Sequence, residues 1–548
     1  MLAAGAALAL TACLDHPLKP VEYDKSSEGE KTVAIEINKD VDILFVIDNS
    51  GSMAEEQERV AANFKAFIDV LEAPDVQANY RIGITTTDVG NPRCSNTTPE
   101  NGSLVLQSCL DRVANGEFVT ADGDFSTACT NNCSLSGADL TVAESGIEQD
   151  ASMAKRKWIE KINTVSNVRG TDSMVDAFKC FGPQGITGCG FESHLEAMYK
   201  ALAAASDKNA KNNYGFLRAQ AILSIVFITD EVDCSFNPTH KDIFINNKTF
   251  WWSPDDPAPT SSLCWDAGVA CDGSAPIYDT CYSENYDVNA IAGASDADAV
   301  LIPVQKYIDF VQGIETKKQD TAMDQQILVS LIAGVPSMYE SFGAEIPYAD
   351  SMDADYMSKF GIGPGCIVGP ANAPEATAVP PVREREFAEA FNVDPKEGRN
   401  LYSICDDDYS AALADIADKI RDQIKPACMP SCVRDIMPED ELVQPNCQLY
   451  EENQGAGTRV PVVKCTEGVG PMGMPAWIAP AGATVCYATL TDKGGQTPSM
   501  LDDMSTECLE QGLNLEFILV RAGAAPAGTT ISAACALSEN KAKDCPML

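Results

Sequence analysis

Val41-Asp42-Ile43-Leu44-Phe45-Val46-Ile47 runs without a break into Asp48-Asn49-Ser50-Gly51-Ser52. Apart from Asp42 the first seven residues are apolar, and several are β-branched, the pattern of a strand buried on both faces of a parallel sheet. The five that follow are small and polar, a composition suited to a turn at the carboxyl end of that strand. Val60, Phe64, Phe67, Ile68 and Leu71 then recur at helical spacing. The segment reads strand, polar turn, amphipathic helix.

The same alternation continues downstream. Residues 80–86 read as a second strand, and Phe191, Leu195, Met198, Tyr199 and Leu202 stripe a helix. Residues 222–229 (ILSIVFIT) form another buried strand that stops at Asp230. A helix over 300–314, a strand over 326–333 and a helix striped by Leu413, Ile416, Ala417, Ile420 and Ile424 complete the series. Strands alternating with helices predict an α/β class, a doubly wound, mostly parallel sheet. Its domain spans 41–426, with long insertions near 88–157, 235–299 and 337–400 that are rich in Gly, Pro, Asn, Asp and Cys. Loops that long need their own anchoring. Beyond Pro426 the texture changes to short strand-like runs among eight cysteines, which predicts a small β-rich, disulfide-stapled domain over 427–548.

Charge and cysteine content bound the function. Lys+Arg total 39 against 80 Asp+Glu, a net charge of −41. Such a field repels phosphate backbones and anionic headgroups, so no nucleic-acid partner is expected, and membrane contact only through a lipid anchor. With three histidines, imidazole-rich metal sites and most His-based catalysis are disfavoured, and His194 and His240 read as surface or capping residues. No nucleophile elbow, His-Glu-x-x-His or phosphate loop occurs, and the chain reads as a non-enzyme. The 21 cysteines point away from a reducing cytosol.

The apolar start, residues 1–12, ends Leu10-Thr11-Ala12-Cys13 and resembles a bacterial lipobox, in which the cysteine receives the lipid. Lipidation at Cys13 leaves an even number of cysteines for a disulfide framework. Residues 1–13 are then a signal peptide and 14–40 a polar tether. The expected location is the cell envelope, lipid-anchored, with Leu14 after Cys13 permitting the outer membrane; ordinary secretion or a periplasmic location is the alternative.

Asp48-x-Ser50-x-Ser52, at a strand's carboxyl end, resembles the signature of a von Willebrand factor type A domain. The resemblance implies a metal-ion-dependent adhesion site (MIDAS). There Ser50 and Ser52 ligate a divalent cation directly, Asp48 acts through water, and a Thr and an Asp arrive from two further loops. Asp230 matches the Asp. Thr187 is the preferred Thr because its loop opens the helix leading to the Asp230 strand, with Thr171 as the alternative. The implied ion is Mg²⁺, or Mn²⁺ or Ca²⁺, since all donors are hard oxygens. Its partner would be a protein or peptide offering a carboxylate to the open position. Thr229 to Ser235, Gly188 to Glu192 and Cys264 to Asp272 look similar to segments of large cysteine-rich type A lipoproteins of myxobacteria and related bacteria. The rival expectation is a metal-free envelope scaffold that interacts through its disulfide-rich insertions.

Overall fold

The structure is a computed structural model. It describes residues 30–545 except 36–38, 74–75, 136, 148–149, 163–164, 247–250, 254, 320–324, 371–375, 425, 441, 454–457, 470–474 and 522–528. Cys13, the expected signal peptide and most of the expected tether lie outside the described residues.

The elements that position the site are, in chain order, β1 (Glu30–Ile35), β2 (Asp40–Ile47), α1 (Ala54–Leu71), β3 (Asn79–Thr86), β4 (Trp158–Ile162) and β5 (Val165–Ser166). They continue as α2 (Met174–Phe181), α3 (His194–Ala205), β6 (Ile222–Ile228), α4 (Ser262–Gly268), α5 (Val304–Gln319) and β7 (Leu328–Ala333). The last of them are α6 (Val382–Glu389), β8 (Leu401–Ser403) and α7 (Ser410–Gln423). The seven-stranded sheet runs β5-β4-β3-β2-β6-β7-β8.

That sheet corrects the expected doubly wound, mostly parallel α/β class. It is mixed: β3, β2, β6, β7 and β8 pair in parallel, but β4 lies antiparallel on β3 and β5 antiparallel on β4. Eight smaller sheets accompany it among the described residues. The sequence pattern ends the first insertion near residue 157 and marks no strand immediately after it. Yet Trp158 and Ile159 are fully buried, and Glu160 meets Arg81 of β3 at 2.7 Å. An antiparallel strand needs no crossover helix, so nothing in the strand–helix alternation announced it.

Side chains of β2 alternate between two apolar layers, as a period of two requires. Val41, Ile43, Phe45 and Ile47 face α1, α2 and α7, where Phe45 packs on Phe64 and Phe178 with ring centroids 6.0 and 5.5 Å apart. Leu44 and Val46 face α3 and α5 through Leu195, Met198 and Tyr307. Each fully buried large apolar side chain contributes about 1.5–3 kcal/mol. The sheet that carries the site is therefore held from both sides.

The region after Pro426 is built mainly of strands. It contributes β9 (Ala427–Cys428), β10 (Cys447–Asn453), β11 (Thr458–Pro461), β12 (Val463–Lys464), β13 (Val485–Leu490), β14 (Glu516–Arg521) and β15 (Thr529–Ala536). Two four-stranded sheets result, β1-β15-β10-β11 and β9-β14-β13-β12. β1 departs from the expected tether over 14–40: it pairs antiparallel with β15, from Glu30 opposite Ala536 to Ile35 opposite Ile531.

Ten disulfides use every cysteine except Cys13. Cys94–Cys189, Cys109–Cys129 and Cys133–Cys180 anchor the first insertion. Cys234–Cys264 and Cys271–Cys281 anchor the second, and Cys366–Cys405 the third. Such a framework fits a protein folded outside the reducing cytosol. Among the described residues no helix is long and apolar enough to cross a membrane.

Candidate metal centre

Two neighbouring parallel strands, β2 and β6, end side by side, and their last residues build the site. The Asp48 N–H donates to the Ile228 carbonyl at 3.0 Å, which seats the turn after β2 against the end of β6. Asp48 is fully buried, and its Oδ1 accepts the Ser50 N–H at 2.8 Å, an aspartate turn closing on its own backbone. The Ser50 and Ser52 hydroxyl oxygens lie 3.2 Å apart. Ser50 is buried and Ser52 exposed. Helix α1 starts immediately afterwards, so its position fixes the turn.

Gln57 of α1 joins this turn to a second loop. Its Nε2 donates to the Asp48 and Gly185 carbonyls, both at 2.9 Å, while its Oε1 accepts the Gln184 N–H at 2.7 Å. The Gly188 N–H donates to the Asn49 carbonyl at 2.8 Å. A Cβ on Gly188 would stand 2.1 Å from Asn49 Oδ1, so any larger residue there has to displace the Asn49 side chain. Thr187 sits in this loop, beside the Asp48 turn and exposed. Among the described residues Thr171 makes no such contact with the turn; its hydroxyl accepts the Ser173 N–H at 3.0 Å, just before α2.

The third wall comes from the end of β6. Thr229 Oγ1 donates to Asp48 Oδ2 at 2.8 Å. Asp230 hydrogen-bonds Ser52 through its carboxyl group, and its Oδ1 is buried with no hydrogen-bond partner among the described residues. Burial first, then the charges of Asp48, Glu231 and Glu56, push the Asp230 carboxyl well above the usual carboxylate range. Glu231 Oε2 accepts the Ser261 hydroxyl at 2.9 Å. Burial also raises Glu231, Glu192 and Glu56, the last to about 7. Glu192 is 1% exposed, and its Oε1 also lacks a hydrogen-bond partner among the described residues.

His194 lies beneath this cluster and is fully buried, which corrects the surface or capping reading. Its Nε2 is 2.7 Å from Thr229 Oγ1, and its Nδ1 is 3.2 Å from Glu384 Oε1 of α6. Burial works against its charge, but Asp48 and Glu384 outweigh that and raise its pKa to about 10. Asp233, 3.9 Å from Nδ1, is paired in turn with Arg383 at 3.1 Å.

Asp48, Ser50, Ser52 and Asp230 are thus brought together, with the Thr187 loop alongside. Sequence reasoning missed Glu192, Glu56 and Thr229 as members of the cluster. Glu192 and Thr229 stood inside segments that were singled out, but no local pattern says that they face Asp48. All the donors are hydroxyls and carboxylates, the chemistry of Mg²⁺, Mn²⁺ or Ca²⁺ rather than of a soft metal. Leaving carboxylate oxygens buried and unpaired costs about 1–3 kcal/mol each or more, and a bound dication removes that cost. The residues present fit such an ion. Cys109, Cys129 and Cys133 also lie close together, but each is spent in a disulfide.

No protein-family model and no curated protein matches this chain. Among solved structures, the pilus adhesin SpaC of Lactobacillus rhamnosus GG in its open conformation aligns at 10% identity and a TM-score of 0.27. The pilus adhesin RrgA of Streptococcus pneumoniae aligns at 11% identity and a TM-score of 0.26. They cover 92% and 93% of this chain, which spans only 40% and 59% of theirs. Likeness at that level decides neither the fold nor the ligand of this chain.

Proposed function

We propose that this protein is a cation-dependent binding module of the cell envelope, anchored by a lipid on Cys13. Asp48, Ser50, Ser52 and Asp230 cradle a divalent cation, with Thr187 from the adjoining loop, and the ion presents an open position to a carboxylate from a protein or peptide partner. The support is two serine hydroxyls 3.2 Å apart and a buried Asp230 oxygen with no hydrogen-bond partner among the described residues, at the ends of adjacent parallel strands. Neutral hydroxyls compensate a dication poorly, so it stays attractive to an incoming anion.

Titration calorimetry of the protein with Mg²⁺ and with Mn²⁺ tests this. A saturable heat that disappears in Asp48→Ala is the expected result. No saturable heat with either ion would overturn the reading and favour a metal-free scaffold.

A further inference from the structure

We propose that Glu192 is a direct ligand of the cation and supplies the second loop's contribution from below the exposed Thr187. This rests on the cation reading above and adds a residue to its cage.

Glu192 is 1% exposed, and its Oε1 finds no hydrogen-bond partner among the described residues. The charged groups that act on it are Glu231 and Asp48, both acidic, and its carboxyl hydrogen-bonds Glu231 and its own backbone. Buried carboxyls this close are relieved either by holding a proton or by a positive charge placed between them, and a dication supplies that charge. Of the basic side chains near the cluster, His194 lies between Thr229 and Glu384 and Arg383 holds Asp233 and the Ile302 carbonyl, while Lys359 acts on Glu231.

The backbone around Glu192 is clamped on both sides, which suits a ligand more than a mobile surface acid. The Ser193 N–H donates to the Thr87 carbonyl at 3.0 Å, and the Glu192 carbonyl accepts the Cys234 N–H at 2.6 Å. Ser193 Oγ adds a bond to the Cys234 carbonyl at 2.9 Å. Disulfides Cys94–Cys189 and Cys234–Cys264 tie down the same loops. Ser261 Oγ bridges from Glu231 Oε2 at 2.9 Å to the Gly190 carbonyl at 3.3 Å, closing an all-oxygen wall beside the carboxylate. A preorganised carboxylate of this kind takes a hard divalent cation.

The test is equilibrium dialysis of the full chain against Mn²⁺ with metal analysis, on wild type, Glu192→Gln, Thr187→Ala and Ser50→Ala, together with thermal melts in EDTA and in Mn²⁺. Glu192→Gln is expected to weaken Mn²⁺ binding by about tenfold or more, and Thr187→Ala by much less. In EDTA the Glu192→Gln melt should lie at or above wild type, because a buried carboxyl oxygen without a partner has gone, while its gain on adding Mn²⁺ shrinks. If Ser50→Ala weakens binding and Glu192→Gln leaves both affinity and Mn²⁺ stabilisation unchanged, Glu192 is not a ligand although the cation reading stands. If wild type binds no Mn²⁺, the cation reading fails and this inference with it. A Glu192→Gln protein that melts well below wild type in EDTA would also overturn it, since that marks a purely structural carboxylate.

Discussion

His194 and Asp48 are joined through a single hydroxyl: Thr229 Oγ1 lies 2.7 Å from His194 Nε2 and 2.8 Å from Asp48 Oδ2, while the two charged groups stand 3.8 Å apart. The imidazolium donates to the threonine, which donates to the aspartate. Asp48 Oδ1 is occupied as well, by the Ser50 N–H. Both oxygens of Asp48 are therefore oriented by the protein. Groups that orient a ligand from behind tune a cation site nearly as strongly as the ligands themselves.

Thr229→Val removes that hydroxyl while keeping the side chain's volume, so Asp48 loses one of its two restraints. Mn²⁺ affinity measured by dialysis should fall by about tenfold, with Thr229→Ser restoring most of it. Equal affinity in all three proteins would show that the relay does not serve the ion.

The His194 charge makes stability depend on pH. In the folded protein its pKa is raised to about 10, against 6.5 when unfolded, so the native state holds the proton more tightly. The stabilisation is fully present below about pH 6.5 and is lost as pH climbs through about 10. Urea midpoints of wild type and His194→Gln, measured in EDTA across that window, should converge as pH rises; a gap of constant size would contradict the assignment.

The antiparallel strand β4 depends on a buried ion pair. Arg81 and Glu160 are 4% and 7% exposed and 2.7 Å apart, and the Trp158 indole also donates to Glu160 at 3.3 Å. Glu160→Ala strands a buried guanidinium and should cost about 3–5 kcal/mol in urea unfolding. A loss below 1 kcal/mol would mean that water reaches Arg81 and that β4 is loosely held.

The C-terminal region has a small apolar core around Leu449, Tyr487, Leu515, Phe517 and Ala533, so its covalent staples carry more of the stability. Cys432–Cys545 closes a separation of 113 residues. Replacing both cysteines with alanine should destabilise this region by about 2–5 kcal/mol, read as earlier hydrogen exchange in β10, β13, β14 and β15 than in β2 or β6. Unchanged exchange in those strands would show that the bond is dispensable.

The sequence by itself determined the elements whose signal is local. The apolar run through Ile47, the ILSIVFIT strand, the stripes of α1, α3 and α7, and the Asp48-x-Ser50-x-Ser52 turn all stand where periodicity placed them. The cysteine count, even after Cys13 is set aside, likewise announced a disulfide framework. Tertiary structure alone decided what joins residues far apart in the chain. It laid β4 antiparallel against β3, which made the sheet mixed, and drew Glu30–Ile35 out of an expected tether to pair with β15 about 500 residues away. It also buried His194, which the sequence reads as a surface or capping residue, and Glu192, although charge is costly to bury. Periodicity reports which face of an element is apolar; it says nothing of which distant carboxylates share that burial.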